Sequence, residues 1–184
     1  MKEERLYIVG YMACGKTTFG RALAASLGWK FLDLDKEIER REGKTVREII
    51  SLEGEERFRL VESDTLKSTA LMHHIVVACG GGTPCFFDNM EFMTLHGITL
   101  WLLASPERIV ERIRIAGPTR PLLAGLNDVD LLAYVRDHLL SRQPFYARAD
   151  MRHSGEHLET QREIDVAVAE LTPRLIRIIN SKKI

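Results

Sequence analysis

The chain has 184 residues, with 26 Lys plus Arg against 26 Asp plus Glu, so no net field draws it to nucleic acid or an anionic membrane. That length suits one domain with a substantial core, and no apolar run approaches the 18 or so residues of a membrane span. The charged start Lys2-Glu3-Glu4-Arg5 argues against a signal peptide, and three cysteines, Cys14, Cys79 and Cys85, suit a reducing cytoplasm rather than a disulfide framework.

A first strand, residues 5–9, enters Gly10-Tyr11-Met12-Ala13-Cys14-Gly15-Lys16-Thr17-Thr18. This is the G-x-x-x-x-G-K-T loop of nucleoside triphosphate enzymes. A helix over 16–28 follows, with Phe19, Leu23 and Leu27 on one side. Backbone N–H groups of Ala13, Cys14, Gly15, Lys16, Thr17 and Thr18 are expected to cradle phosphate oxygens at the positive end of this helix. Lys16 reaches the β- and γ-phosphates, and the Thr17 hydroxyl suits Mg²⁺. Cys14 reads as a small residue filling the loop.

A second strand, 30–34, ends in Asp33-Leu34-Asp35. Residues two apart on a strand face the same way, so both carboxylates are expected beside the phosphate loop. One then serves Mg²⁺ and the other a substrate hydroxyl. Helices follow over 35–43 and 46–69. A third strand, 74–79, ends in Gly80-Gly81-Gly82, which admits a ligand close to the backbone. The metal-linked Asp common at such a strand end is missing, which moves the Mg²⁺ role to Asp33.

A helix over 87–96 and a strand over 98–103 come next. Ser105-Pro106 caps a helix over 106–115. The connector Ala116-Gly117-Pro118-Thr119-Arg120-Pro121 reads as a mobile loop whose Arg120 closes on the triphosphate. A helix over 128–148, a strand over 150–153 and a helix over 160–181 complete the chain. Strands alternating with helices predict a parallel sheet covered on both faces.

Two arginines converging on one pocket favour a carboxylate substrate. Arg59 edges the packed face of its helix, where Glu62 can orient it, and Arg142 lies late in another helix. Spacing alone does not choose these over Arg57, Arg136 or Arg148.

Taken in order, the phosphate loop, Asp-Leu-Asp, Gly54-Glu55 then Phe58-Arg59, Gly-Gly-Gly, Arg-Pro-Leu-Leu and Arg142-x-Pro-x-Tyr resemble the shikimate kinase family from Leu6 to Tyr146. The resemblance implies ATP-dependent phosphorylation of the shikimate 3-hydroxyl, a step toward chorismate and the aromatic amino acids. It implies a P-loop NTPase fold of the nucleoside monophosphate kinase type, with a five-stranded parallel sheet flanked by helices. One kinase domain, 1–184, would carry a lid at about 115–125 and a substrate-binding helical segment at about 35–63. By motif match, Asp35 binds ring hydroxyls, Arg59 and Arg142 hold the carboxylate, and Gly80, Gly81 and Gly82 line the pocket. Thr17 and Asp33 serve Mg²⁺, Lys16 and Arg120 meet ATP, and the adenine-stacking arginine is Arg114 or Arg112. Ala13 departs from the family's usual glycine. A cytoplasmic monomer with shikimate and ATP as partners is expected. The nearest rival is another small-molecule kinase of this fold, such as a gluconate kinase; the absence of N-K-x-D and G-x-G-x-x-G argues against a GTPase or a dinucleotide enzyme.

Overall fold

The computed structural model describes residues 4–117 and 126–181. Among them, strands β1 (Arg5–Val9), β2 (Lys30–Asp33), β3 (Ile75–Ala78), β4 (Ile98–Leu103) and β5 (Met151–Ser154) form one sheet in the order β2-β3-β1-β4-β5. Every pairing is parallel. β1 is buried along its whole length, which explains the apolar run from Leu6 to Val9: a central parallel strand has no wet face.

The period of two sorts the side chains into two cores. Tyr7, Val9, Val77 and Trp101 face one layer, while Ile8, Val76, Leu100 and Leu102 face the other. On the second face lie α1 (Lys16–Leu27) and α8 (Gln161–Ser181), packed through Phe19, Leu23, Val168 and Leu171. The first face is covered by α4 (Glu55–Ser68), α5 (Asn89–His96), α6 (Pro106–Ala116) and α7 (Asp128–Tyr146), through Phe58, Met90, Ile109 and Val135. Two short helices, α2 (Leu34–Glu42) and α3 (Val46–Glu53), extend this layer. Among the described residues no helix is long and apolar enough to cross a membrane.

Two local expectations are corrected. The helix expected over 46–69 is two helices, because Gly54 at φ 90° and ψ 161° ends α3 and begins α4. Few residues other than glycine adopt that backbone. The second strand stops at Asp33, which caps α2 by accepting a hydrogen bond from the Lys36 amide. Asp35 therefore sits in the first helical turn, not on the strand.

The connection from β1 to β2 crosses β3, and that from β3 to β4 crosses β1. Chain leaving neighbouring strands in opposite directions opens a crevice at their carboxyl ends. The loop after β1, the end of β2 and the glycines after β3 meet there.

Candidate active site

A cleft of about 590 Å³ occupies that crevice, and Lys16, Thr17, Asp33, Asp35, Gly80 and Gly81 all border it. The loop between β1 and α1 holds its shape with left-handed residues, Gly15 at φ 101° and Ala13 at φ 58°. Alanine in that region carries a steric penalty that glycine would not. Lys16 is buried, and its Nζ donates to the carbonyls of Gly10 at 2.9 Å and Tyr11 at 2.7 Å. The ammonium is thus folded onto the loop it would leave to meet a phosphate. Cys14 is fully buried, with its sulfur 3.9 Å from that ammonium and its side chain packed into the second core.

Thr17 Oγ1 donates to Asp33 Oδ2 at 2.8 Å. A hydroxyl and a carboxylate side by side on the lip of a phosphate loop are hard oxygen donors, a set that fits Mg²⁺. Asp33 does this while its other oxygen caps α2, so the helix start fixes the carboxylate.

The glycine turn measures how closely the other groups approach. A methyl group on Gly80 would lie 3.0 Å from Asp35 Oδ1 and 2.9 Å from Glu62 Oε1. On Gly81 it would lie 3.5 Å from Arg142 Nη1, and on Gly82 only 2.8 Å from Arg59 Nη1. Asp35 from α2, Arg59 from α4 and Arg142 from α7 therefore converge on three consecutive residues. Tyr146 fastens α7 to the same turn, its hydroxyl donating to the Gly81 carbonyl at 2.5 Å. Burial pushes that phenol well above its usual range, so it stays a donor.

Arg59 is held on both sides. Glu55 Oε1 accepts from Nε and Nη2 at 3.2 and 2.9 Å, and Glu62 Oε2 accepts from Nη1 at 2.8 Å. The Phe86 ring lies 4.1 Å beneath the guanidinium, a cation–π contact that fixes its plane. Arg142 lies over the Tyr11 ring at 5.4 Å, which ties it to the phosphate loop. Its neighbour His138 has a lowered pKa, through burial first and the Arg142 charge second, and so adds no competing cation at neutral pH. Arg57 and Arg136 are instead paired at the surface with Glu42 and Glu107.

Beside the phosphate loop the two arginine alternatives part company. Arg114 points away, bonded to Asp128 and the Leu126 carbonyl. Arg112 lies across the loop instead, donating to the carbonyls of Ala13 at 3.3 Å and Gly155 at 2.7 Å and to Glu159 at 2.7 Å. Residues two apart lie about 200° around a helix, so residue 112 faces the loop while residue 114 lies on the opposite side of α6. Leu158 closes the same rim, 2.8 Å from where a methyl on Gly15 would stand. Sequence reading missed Leu158 and Glu159, which no motif marks. Arg120 and the Arg-Pro-Leu-Leu run of the expected lid lie outside the described residues. Burial raises the Cys79 thiol far above its ordinary range, so this cysteine at the end of β3 is inert at neutral pH.

Comparison with known proteins gives consistent matches. The shikimate kinase family model matches residues 12–172. A shikimate kinase of Phocaeicola vulgatus is 41% identical over 171 residues, spanning 93% of this chain and 98% of that one. The crystal structure of shikimate kinase from Bacteroides thetaiotaomicron superposes with a TM-score of 0.90 at 40% identity, covering 94% of this chain and 98% of the other. Shikimate kinase from Acinetobacter baumannii in complex with shikimate gives 0.79 at 34% identity, covering 98% and 95%. A gluconokinase from Sinorhizobium meliloti, at 16% identity and a TM-score of 0.53, shares the fold alone.

Proposed function

The chain belongs to the shikimate kinase family, and we propose that it transfers the γ-phosphoryl group of ATP to the 3-hydroxyl of shikimate within this cleft, giving shikimate 3-phosphate and ADP on the route to aromatic amino acids. The observation that carries the reading is the convergence of Asp35, Arg59 and Arg142 on Gly80–Gly82, a turn that borders the same cleft as the phosphate loop.

Arg59 and Arg142 hold the substrate carboxylate, since planar guanidinium groups match its two oxygens. Asp35 holds the ring hydroxyls against the glycine turn, orients the 3-hydroxyl and is placed to take its proton. Phosphoryl transfer needs positioning and charge neutralisation more than covalent help. Lys16 swings from the Gly10 and Tyr11 carbonyls to the phosphate oxygens, and the loop amides bind the same group. Thr17 and Asp33 would hold Mg²⁺, which would supply charge shielding to the phosphate oxygens. Arg112, rather than Arg114, takes the nucleotide side of the rim, and Arg120 closes from the lid at about 115–125. Within one domain, the segment over 35–63 supplies Asp35 and Arg59, and α7 supplies Arg142. The reading needs no group from a second subunit, and three unpaired cysteines suit the cytoplasm.

The test is ADP release by the purified protein with ATP and Mg²⁺, with shikimate, with gluconate and with no acceptor. Release that depends on shikimate is the expected result. Equal release with gluconate, or none beyond the acceptor-free rate, contradicts the assignment.

A further inference from the structure

A buried polar chain continues beyond the groups assigned above. Thr83 follows the glycine turn, and its Oγ1 donates to Glu62 Oε1 at 2.6 Å. The Thr83 carbonyl accepts from Asn89 Nδ2 at 3.0 Å, and Asn89 Oδ1 accepts from Ser63 Oγ at 2.7 Å. Thr83, Asn89 and Glu62 are each 0% exposed, and Ser63 is 7% exposed. The chain thus runs Ser63, Asn89, Thr83, Glu62, Arg59, through α4, the start of α5 and the turn beside Gly82. It ends at the guanidinium packed against Gly82, at the edge of the cleft.

We propose that Thr83 is a positioning residue for the acid substrate, acting through Glu62 on Arg59, with Asn89 holding Thr83 in place. This rests on the function proposed above.

The argument is a count of donors. A guanidinium has about five N–H groups. Glu55 takes two, from Nε and Nη2, and Glu62 takes one, from Nη1. Two remain among the described contacts, one on each Nη, the number that one carboxylate takes. The Thr83 hydroxyl on Oε1 fixes the plane of the Glu62 carboxylate, with Oε2 as the oxygen turned to Arg59. Without that hydroxyl, Oε1 would be a buried carboxylate oxygen with no donor among the described residues, an unfavourable state. The nearest remedy is rotation of the carboxylate to take a second N–H from Arg59. That rotation draws the fork toward α4 and removes a donor from the substrate. A hydroxyl that touches no ligand would in this way set how many hydrogen bonds the ligand receives. Asn89 keeps the hydroxyl aimed, since its amide bonds both the Thr83 backbone and Ser63.

The test compares Thr83→Val, which keeps the shape and removes the hydroxyl, with Thr83→Ala and Thr83→Ser, in steady-state kinetics alongside wild type. Loss of one charge-assisted bond to the substrate predicts a rise of about tenfold in KM for shikimate in both Val and Ala variants. Turnover and KM for ATP should stay within about twofold of wild type, and the Ser variant should regain the wild-type KM. Thr83→Ala decides the matter if Thr83→Val does not fold. An unchanged KM for shikimate in a folded variant overturns the proposal. So does a parallel rise in both KM values with a lowered Tm, the pattern of general loosening. A wild-type protein inactive on shikimate would instead overturn the functional reading and this inference with it.

Discussion

On one side of the cleft, residues 10–18 bend a continuous piece of backbone into a cradle, with Ala13 and Gly15 in left-handed conformations. Across it, the proposed acid site brings together Asp35, Arg59 and Arg142, side chains on three separate helices that approach one glycine turn. The nucleotide half depends on local backbone geometry and helix polarity, so it forms wherever that short sequence sits between a strand and a helix. The proposed acid half depends on tertiary packing: α4 and α7 must be seated before its guanidinium groups reach the glycine turn. Changes in the first half should therefore alter turnover, and changes in the second should alter affinity for the acid.

The sharpest way to break this division is Lys16→Met. One preorganised charge at the transferring phosphate is worth about 10²–10³-fold, so kcat in an ADP-release assay should fall by that factor. A variant with near wild-type turnover would place the phosphoryl group elsewhere. Next comes Arg59→Lys, which keeps a cation beside buried Glu62 but loses the two-pronged grip. KM for shikimate should rise about 10- to 100-fold while KM for ATP stays near wild type. The reverse pattern would move Arg59 to the nucleotide half.

A smaller effect is expected from Gly82→Ala. The backbone there, at φ −91° and ψ −19°, accepts alanine, but the new methyl would crowd Arg59 at 2.8 Å. KM for shikimate should rise roughly three- to tenfold, in line with a mild overpacking penalty. An unchanged KM would mean that the guanidinium moves aside without consequence. The smallest change is Ala13→Gly, which relieves left-handed strain and adds freedom to the unfolded chain. The balance should raise Tm by about 1–2 °C with kinetics unaltered. A drop in Tm would show that the unfolded-state term dominates.

The same contrast explains what the amino-acid sequence disclosed. The phosphate loop could be read directly because all its parts are adjacent. The parallel sheet was legible from apolar runs alternating with helical patterns. Asp33 and Asp35 were placed in the right cleft by the wrong geometry, since helix capping by Asp33, not strand alternation, aims them. Gly54 was read as part of a motif, and its role as a helix break required a backbone angle that sequence only hints at. Arg59 and Arg142 could be chosen over neighbouring arginines only through the family resemblance. Arg112 and Arg114 differ by two positions, and only the orientation of α6 separates them. Thr83 and Asn89 carried no signal at all, because a buried hydrogen-bond chain has no characteristic spacing.

The most direct measurement is a crystal structure of the protein with shikimate and a non-hydrolysable ATP analogue. The expected result is a shikimate carboxylate bonded to both Arg59 and Arg142, with its 3-hydroxyl between Asp35 and the terminal phosphate. A ligand whose carboxylate met neither arginine, or whose 3-hydroxyl faced away from the phosphate loop, would contradict it.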